Sequence, residues 1–209
     1  GWLSASRFKR CAYSMNSGSI SKHKKGITVL INNKGRSKGL TLIESLVVVG
    51  ILLGIVAVAL TLYGTVKNRL DVKNESENIS IIYSQIKDLY SDEGTKDLTN
   101  TVAVQLGVIP KKMNVNSDGK TVYNTWGGKV DIKGNGDNGF ILTYPKVPSG
   151  SVCVDLIRNQ RKVGWDNYGV GSSANTQFSG LNNKDLTVSC ASTKDYIDVV
   201  FQSGEDSGI

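Results

Sequence analysis

The stretch that decides the fold is KGLTLIESLVVVGILLGIVAVALTLY, residues 38–63. It contains most of a run of 22 uncharged residues between Glu44 and Lys67, the majority of them Leu, Val, Ile, Ala or Gly. As an α-helix this run would be about 33 Å long, which matches the roughly 30 Å hydrocarbon core of a bilayer. A buried core helix would be shorter or interrupted by polar residues, so the pattern predicts a membrane-spanning helix.

The positive charge of the chain lies before this helix. The formal net charge is +7, but residues 1–39 hold nine Lys and Arg and no acidic residue, so residues 40–209 keep 16 basic and 18 acidic residues. This distribution argues against a nucleic-acid partner. It predicts that residues 1–39 stay in the cytoplasm and that the rest is exported. A cleavable secretory signal fits less well, because the basic region is long and the apolar run exceeds the usual 7–15 residues.

The helical pattern continues beyond the apolar run. Apolar residues recur at 3-4-3 spacing, as expected for the buried face of an amphipathic helix: Ile79, Ile82, Ile86 and Leu89. The charged residues of this segment are expected on the solvent face: Glu75, Glu77, Lys87 and Asp88. Since no Pro interrupts residues 40–90, we predict one helix of about 50 residues.

The remainder of the chain contains shorter elements. The predicted elements are a short helix over Val102–Ile109 ended by Pro110, a hairpin with strands Lys129–Lys133 and Phe140–Tyr144, a helix over Val152–Val163, and a final strand Tyr196–Phe201. The hairpin connection, Gly134–Gly139, could also be a calcium loop, but it has too few carboxylates and a turn is favoured. The expected fold class is α+β, with a long N-terminal helix packed on a small antiparallel β-sheet.

Residue composition excludes several kinds of chemistry. The only histidine is His23, so residues 40–209 cannot use Ser-His-Asp or Cys-His catalysis or a histidine-containing zinc site. We predict no enzymatic activity, no metal and no cofactor. Cys11 lies in the cytoplasmic segment, whereas Cys153 and Cys190 form an even pair in the exported part and are expected to be disulfide-bonded, two free thiols being the alternative. The enclosed segment 154–189 is rich in Gly, Asn and Ser and is expected to be an exposed edge.

Glu44 has two interpretations. With Thr41 it forms the pattern of a capping box, in which the carboxylate bonds the first backbone N–H groups of the helix. A carboxylate at the bilayer edge also favours a positive partner, which cleavage after Gly39 would supply as the new α-amino group of Leu40. Further along, Gly50-Ile-Leu-Leu-Gly54 is a GxxxG pattern that could form a helix-packing face.

The segment Lys38–Glu44 and the apolar helix after it resemble the class III signal of type IV prepilins. The resemblance implies that a prepilin peptidase cleaves between Gly39 and Leu40 and N-methylates Leu40. It also implies that Glu44 neutralises an adjacent N-terminus during filament assembly. The long leader, the Leu after the cut, the spacing of Cys153 and Cys190, and Asn124–Gly128 resemble the type IVb branch, particularly pilins of conjugative thin pili and enteric adherence pili.

This resemblance implies a type IV pilin fold in three parts. Residues 1–39 would be a cytoplasmic leader that is removed, residues 40–66 a transmembrane and later filament-core helix, and residues 67–209 a globular head into which the helix continues to about residue 90. The chain would be the major subunit of an extracellular filament for adhesion, aggregation or mating. Expected partners are identical subunits, prepilin peptidase, the inner membrane of a Gram-negative bacterium, the pilus assembly machinery and a host or recipient-cell surface. A pseudopilin of a type II secretion system and a membrane-anchored receptor domain are the alternatives.

Overall fold

The computed structural model describes residues 41–204. The predicted long helix is confirmed as one 48-residue element, α1, Leu42–Leu89. The chain divides into two units, and the second, which begins at Leu46, is compact. Within the second unit, the part of α1 after Leu70 carries the residues that enter the core, and the sheet and three shorter α-helices complete the head.

Seven strands form one antiparallel sheet in the order β1-β2-β3-β4-β7-β5-β6. The strands are β1 Asn114–Val115, β2 Val122–Tyr123, β3 Lys129–Asn135, β4 Gly139–Pro148, β5 Asn167–Val170, β6 Thr176–Gln177 and β7 Tyr196–Ser203. The predicted hairpin is confirmed as β3 and β4, and the predicted final strand as β7, which pairs with β4 at the centre of the sheet. A bulge between Tyr144 and Val147 interrupts β4, where Lys146 adopts a φ of 56°.

Three α-helices and one 3₁₀ helix connect the strands. They are α2 Asn100–Gln105, the 3₁₀ helix Phe178–Gly180, α3 Ser151–Asn159 and α4 Asn183–Cys190. The predicted helix Val102–Ile109 was placed too far along the chain. It ends at Gln105 because Gly107, with a φ of 72°, closes a Schellman motif in which the Val108 N–H donates to the Ala103 carbonyl at 3.0 Å. The helix predicted over Val152–Val163 ends at Asn159, and its last residues form turns instead.

The helical face predicted to be buried is largely confirmed. Ile79, Ile82 and Ile86 are fully buried, whereas Leu89 is exposed because it is the last residue of α1. The prediction that Glu75 lies on the solvent face is wrong, because only 4% of this residue is exposed. Glu75 shares the 4-3-4 phase of the three isoleucines, so it faces the sheet with them.

The segment 154–189 is not merely the exposed edge that its composition predicts. Strand β5 lies inside the sheet, paired with β7 on one side and β6 on the other. Trp165 is buried among aromatic rings, with centroid distances of 4.8 Å to Tyr83, 5.3 Å to Phe140 and 5.5 Å to Phe201. A few large side chains among many small polar ones are therefore enough to anchor this segment in the core.

Candidate assembly site

The N-terminal part of α1 exposes an uninterrupted apolar surface. By length and composition this helix could cross a membrane, and none of its most apolar 18-residue window is buried. Its exposed large apolar side chains run from Leu42, which is 78% exposed, to Leu70 at 53%. Soluble monomers rarely expose contiguous apolar patches beyond a few hundred Å². This surface therefore requires lipid or other protein chains around it.

Glu44 lies at the start of this surface and is exposed. The Thr41 hydroxyl accepts the Glu44 backbone N–H at 3.4 Å, and the Thr41 carbonyl accepts the Ser45 N–H at 3.0 Å. Thr41 thus makes its half of the predicted capping box. Gly39 and Leu40 lie outside the described residues, so the cleavage site and its charge pairing with Glu44 stay predictions.

The glycines of the GxxxG pattern leave two open positions on the same helix. A Cβ added at Gly50 or at Gly54 would meet nothing within 4 Å. The fold of the single chain therefore does not need glycine at either position. Glycine at both positions would instead allow a neighbouring helix to approach closely.

Glu75 joins α1 to the head. One carboxylate oxygen accepts the Thr125 backbone N–H at 3.2 Å, and the other accepts the hydroxyl of Tyr144 on β4. Burial raises the pKa of Glu75 from its ordinary 4.5 to about 7, the hydrogen bonds from Thr125 and Asn78 oppose this rise, and the charge of Asp71 adds to it. This contact was not predicted from the sequence, although the helical phase that Glu75 shares with the buried isoleucines was a signal for it.

Asn124 organises the turn that meets Glu75. Its side-chain oxygen accepts the N–H groups of Trp126 at 3.1 Å and Gly128 at 2.8 Å, while its amide nitrogen donates to the Pro145 carbonyl at 2.6 Å. Asn124–Gly128 forms a turn, and the Trp126 ring packs edge-on against Tyr144 at 6.4 Å. The turn, β4 and α1 are thereby fixed to one another.

A second set of hydrogen bonds attaches α1 to the region after α3. The Gln160 amide donates to the Ser76 carbonyl at 3.0 Å, and its oxygen accepts the Trp165 indole N–H at 3.1 Å. The Tyr83 hydroxyl donates to the Gly164 carbonyl at 2.9 Å. These bonds satisfy polar groups along the buried side of the helix.

The predicted disulfide between Cys153 and Cys190 is present. It joins the first turn of α3 to the last residue of α4, with a Cα–Cα distance of 5.7 Å, and both residues are fully buried. The Gly150 N–H also donates to the Cys190 carbonyl at 2.9 Å. The two helices therefore close the loop that carries β5 and β6.

Within residues 41–204, no group of three or more His, Cys, Asp or Glu side chains is placed to hold a metal ion. The Gly134–Gly139 segment, weighed above as a calcium loop, forms the end of β3 and the tight turn into β4. Gly136 occupies its left-handed position with a φ of 64°. This geometry agrees with the turn interpretation.

Comparisons with known proteins bear on the whole head. The family model described as PilS N terminal matches residues 69–203. The major structural subunit of the bundle-forming pilus from Escherichia coli O111:H- is 24% identical over 157 residues, which cover 73% of this chain and 80% of that protein. A crystal structure of type IVb pilin from Salmonella typhi aligns with a TM-score of 0.51 at 21% identity, over 62% of this chain and 97% of the other. This structural likeness shows a shared fold.

Proposed function

Since this chain belongs to the PilS N-terminal family, a family of type IVb pilins, we propose that it is the major structural subunit of a type IVb pilus. The observation that carries the proposal is the exposed apolar surface of α1 from Leu42 to Leu70, attached to a head with the pilin fold. In a filament, the same surface would be buried against other copies of the chain. Apolar burial is the dominant favourable term in most protein association.

Maturation would prepare the helix for this assembly. We infer that prepilin peptidase cleaves between Gly39 and Leu40 at the cytoplasmic face, removes residues 1–39 and methylates Leu40. The nine basic residues before the cut support this orientation, because positive charge is retained in the cytoplasm. Glu44 would then pair with the α-amino group of Leu40 in a neighbouring subunit.

The subunit would occupy two environments in turn. We propose that residues 40–66 anchor it in the inner membrane of a Gram-negative bacterium, and that the assembly machinery transfers it into an extracellular filament. Lipid and the filament core offer comparable environments to the same apolar side chains. The filament would contact a host or recipient-cell surface and serve adhesion, aggregation or mating.

A pseudopilin of a type II secretion system is the second candidate, and it is not favoured. For a pseudopilin we expect a smaller head with calcium ligands and no disulfide loop near the C-terminus. This chain has a seven-stranded sheet and a disulfide spanning 37 residues. The family match lies in the head, over residues 69–203, and does not depend on the N-terminal signal.

Immunogold electron microscopy tests the proposal. Cells carrying a type IVb assembly machinery should display filaments labelled by an antibody to the head only when this chain is produced. Mass spectrometry of sheared filaments should find an N-terminus at Leu40, carrying one added methyl group. Exported protein that never appears in filaments, or filament-borne protein that retains residues 1–39, would contradict it.

A further inference from the structure

Glu75 and Asn78 form a buried polar pair on the face of α1 that packs against the sheet. Only 4% of Glu75 and 2% of Asn78 are exposed. Their three-residue spacing places the two side chains next to each other on one face of the helix. The Asn78 amide donates a hydrogen bond to the Glu75 carboxyl group. The two side chains are therefore in contact and removed from bulk solvent.

One polar atom of this pair has no partner. Within residues 41–204, no group donates a hydrogen bond to the Asn78 side-chain oxygen. The amide that gives its N–H to Glu75 thus leaves its own oxygen unpaired. A buried acceptor without a donor is unfavourable.

The Glu75 carboxyl group also lacks an opposite charge. Among the described residues, neither of the ion pairs includes Glu75. Lys112 lines the polar cavity beside it, but the ammonium group lies 3.5 Å from Glu77 and the side chain is 67% exposed. Asp71, on the same helix, adds negative charge instead. An ionised Glu75 would therefore be a buried charge compensated by hydrogen bonds alone.

We propose that Glu75 is protonated in the folded head and forms a cyclic pair of hydrogen bonds with the Asn78 amide, and that this pair is a pH-dependent latch between α1 and the Asn124–Gly128 turn. The carboxylic O–H donates to the Asn78 oxygen, and the Asn78 N–H donates to the carbonyl oxygen of the carboxyl group. A carboxylic acid and a primary amide are complementary in this way, because each presents one donor and one acceptor side by side.

The proton would give every group of this network a partner. A carbonyl oxygen has two lone pairs, so one carboxyl oxygen can accept both the Asn78 N–H and the Tyr144 hydroxyl. The other oxygen donates its proton to Asn78 and can still accept the Thr125 N–H. A water molecule would also supply a donor to Asn78, but it would leave the charge of Glu75 buried. A single proton removes both deficits.

Loss of the proton would weaken the attachment of the turn to the helix. The ionised carboxylate has no proton to give to Asn78, and its negative charge would face the amide oxygen. Water would then compete with the Thr125 N–H for this carboxylate, and that N–H is the contact of the turn with Glu75. Burial raises the pKa of Glu75 to about 7, so the latch is closed at lower pH and opens as the pH rises above 7.

Few other ionisable groups face this pair. They are Asp71 on α1, Tyr144 on β4, and Lys112 and Tyr123 in the wall of the adjoining cavity. All of them belong to the same head. A subunit that never polymerises would carry the same latch, so the inference stands apart from the proposed function.

Infrared spectroscopy of the full chain in detergent micelles, with isotope-labelled glutamate, tests where the proton lies. At pH 6 wild type should show the C=O band of a protonated carboxyl group that is lost in Glu75→Gln. Glu77→Gln, which removes an exposed carboxylate two residues away, should retain this band. Asn78→Leu should move it to higher frequency, because the hydrogen bonds to the amide are lost. A wild-type spectrum without the band, or a band that Asn78→Leu leaves in place, would overturn the proposal.

Hydrogen exchange of the same preparations tests the latch. Protection of the Thr125 amide, relative to an unfolded peptide at the same pH, should fall about tenfold between pH 6 and pH 8, given a pKa of 4.5 in the open state and about 7 in the closed state. Glu75→Gln should keep this protection constant, because an amide at this position pairs with Asn78 without a proton. The Thr125 amide should also exchange faster than the amide of Leu142 at the centre of the sheet, as a local opening requires. An equal pH response in Glu75→Gln, or exchange of Thr125 no faster than that of Leu142, would contradict the latch.

Discussion

A substitution at Glu44 distinguishes its two interpretations, a helix cap and a charge partner for a neighbouring subunit. If its carboxylate pairs with a neighbouring α-amino group, Glu44→Ala should leave the precursor inserted and cleaved but abolish or strongly reduce filaments. An uncompensated buried charge costs about 3–5 kcal/mol, whereas loss of a helix cap costs about 1 kcal/mol. Piliation counts with immunoblots for cleaved subunit measure the effect.

Thr41→Ala is the matched control for that variant. It removes the hydroxyl that accepts the Glu44 N–H but keeps the carboxylate, so piliation should stay near the wild-type level. Normal piliation in Glu44→Ala would leave Glu44 as a helix cap and nothing more.

Glu75 should make the stability of the head depend on pH. Its folded-state pKa of about 7 lies above the ordinary 4.5, so the folded state holds the proton more tightly than the unfolded state. The stabilisation is present below pH 4.5 and is lost as the pH rises to 7, up to roughly 3 kcal/mol. Glu75→Gln should lose less stability than wild type between pH 5 and pH 8.

The free energy of unfolding, measured by circular dichroism for both proteins at both pH values, checks this difference. The contributions of the other titrating groups to the free energy of unfolding cancel in the comparison between wild type and Glu75→Gln. Glu77→Gln should follow the wild-type profile, since Glu77 is exposed. Parallel profiles for wild type and Glu75→Gln would mean that the pKa of Glu75 is not raised in the folded head.

At the scale of secondary structure, the sequence patterns predicted those elements whose formation depends on residues close together in the chain. The continuous helix α1, the β3–β4 hairpin and strand β7 follow from periodicity and turn residues within a short window. The strands of two to four residues, β1, β2, β5 and β6, were not predicted. Their existence depends on partners distant in sequence, such as the pairing of Tyr168 with Phe201. The burial of Glu75 escaped notice for the same reason, because Tyr144 and Thr125 are remote from it in the chain.

The segment 154–189 should behave as core where its few large residues enter the head. Trp165→Ala removes three ring contacts and the hydrogen bond to Gln160, so it should destabilise the head by about 3–5 kcal/mol. Arg161→Ala, at an exposed position in the same segment, should change stability by less than about 0.5 kcal/mol. Chemical denaturation followed by circular dichroism compares them, and equal small effects would restore the exposed-edge interpretation.

The Cys153–Cys190 disulfide should hold α3 and α4 together. On the chain-entropy account, closing a loop with a sequence separation of 37 stabilises the head by about 3–4 kcal/mol. The double variant Cys153→Ser/Cys190→Ser should therefore unfold at lower denaturant concentration. Dithiothreitol should destabilise wild type by a similar amount without affecting the variant. A reductant effect of equal size in both would show that the bond contributes nothing.

At the scale of the whole molecule, the chain combines two parts that need different surroundings. The head buries its own apolar residues around Trp165 and the isoleucines of α1, whereas the helix from Leu42 to Leu70 buries none of its large side chains. Transfer of that surface between lipid and a protein core changes its exposure to water little. A polymer with a helical core is thus the assembly that this division favours.

A cryo-electron microscopy reconstruction of filaments from cells producing this chain tests that claim most directly. We expect a core built from residues 42–70 of many copies, with the heads outside and Leu40 as the first residue of each chain. Filaments joined through their heads alone, with this apolar helix at the surface or absent, would contradict it.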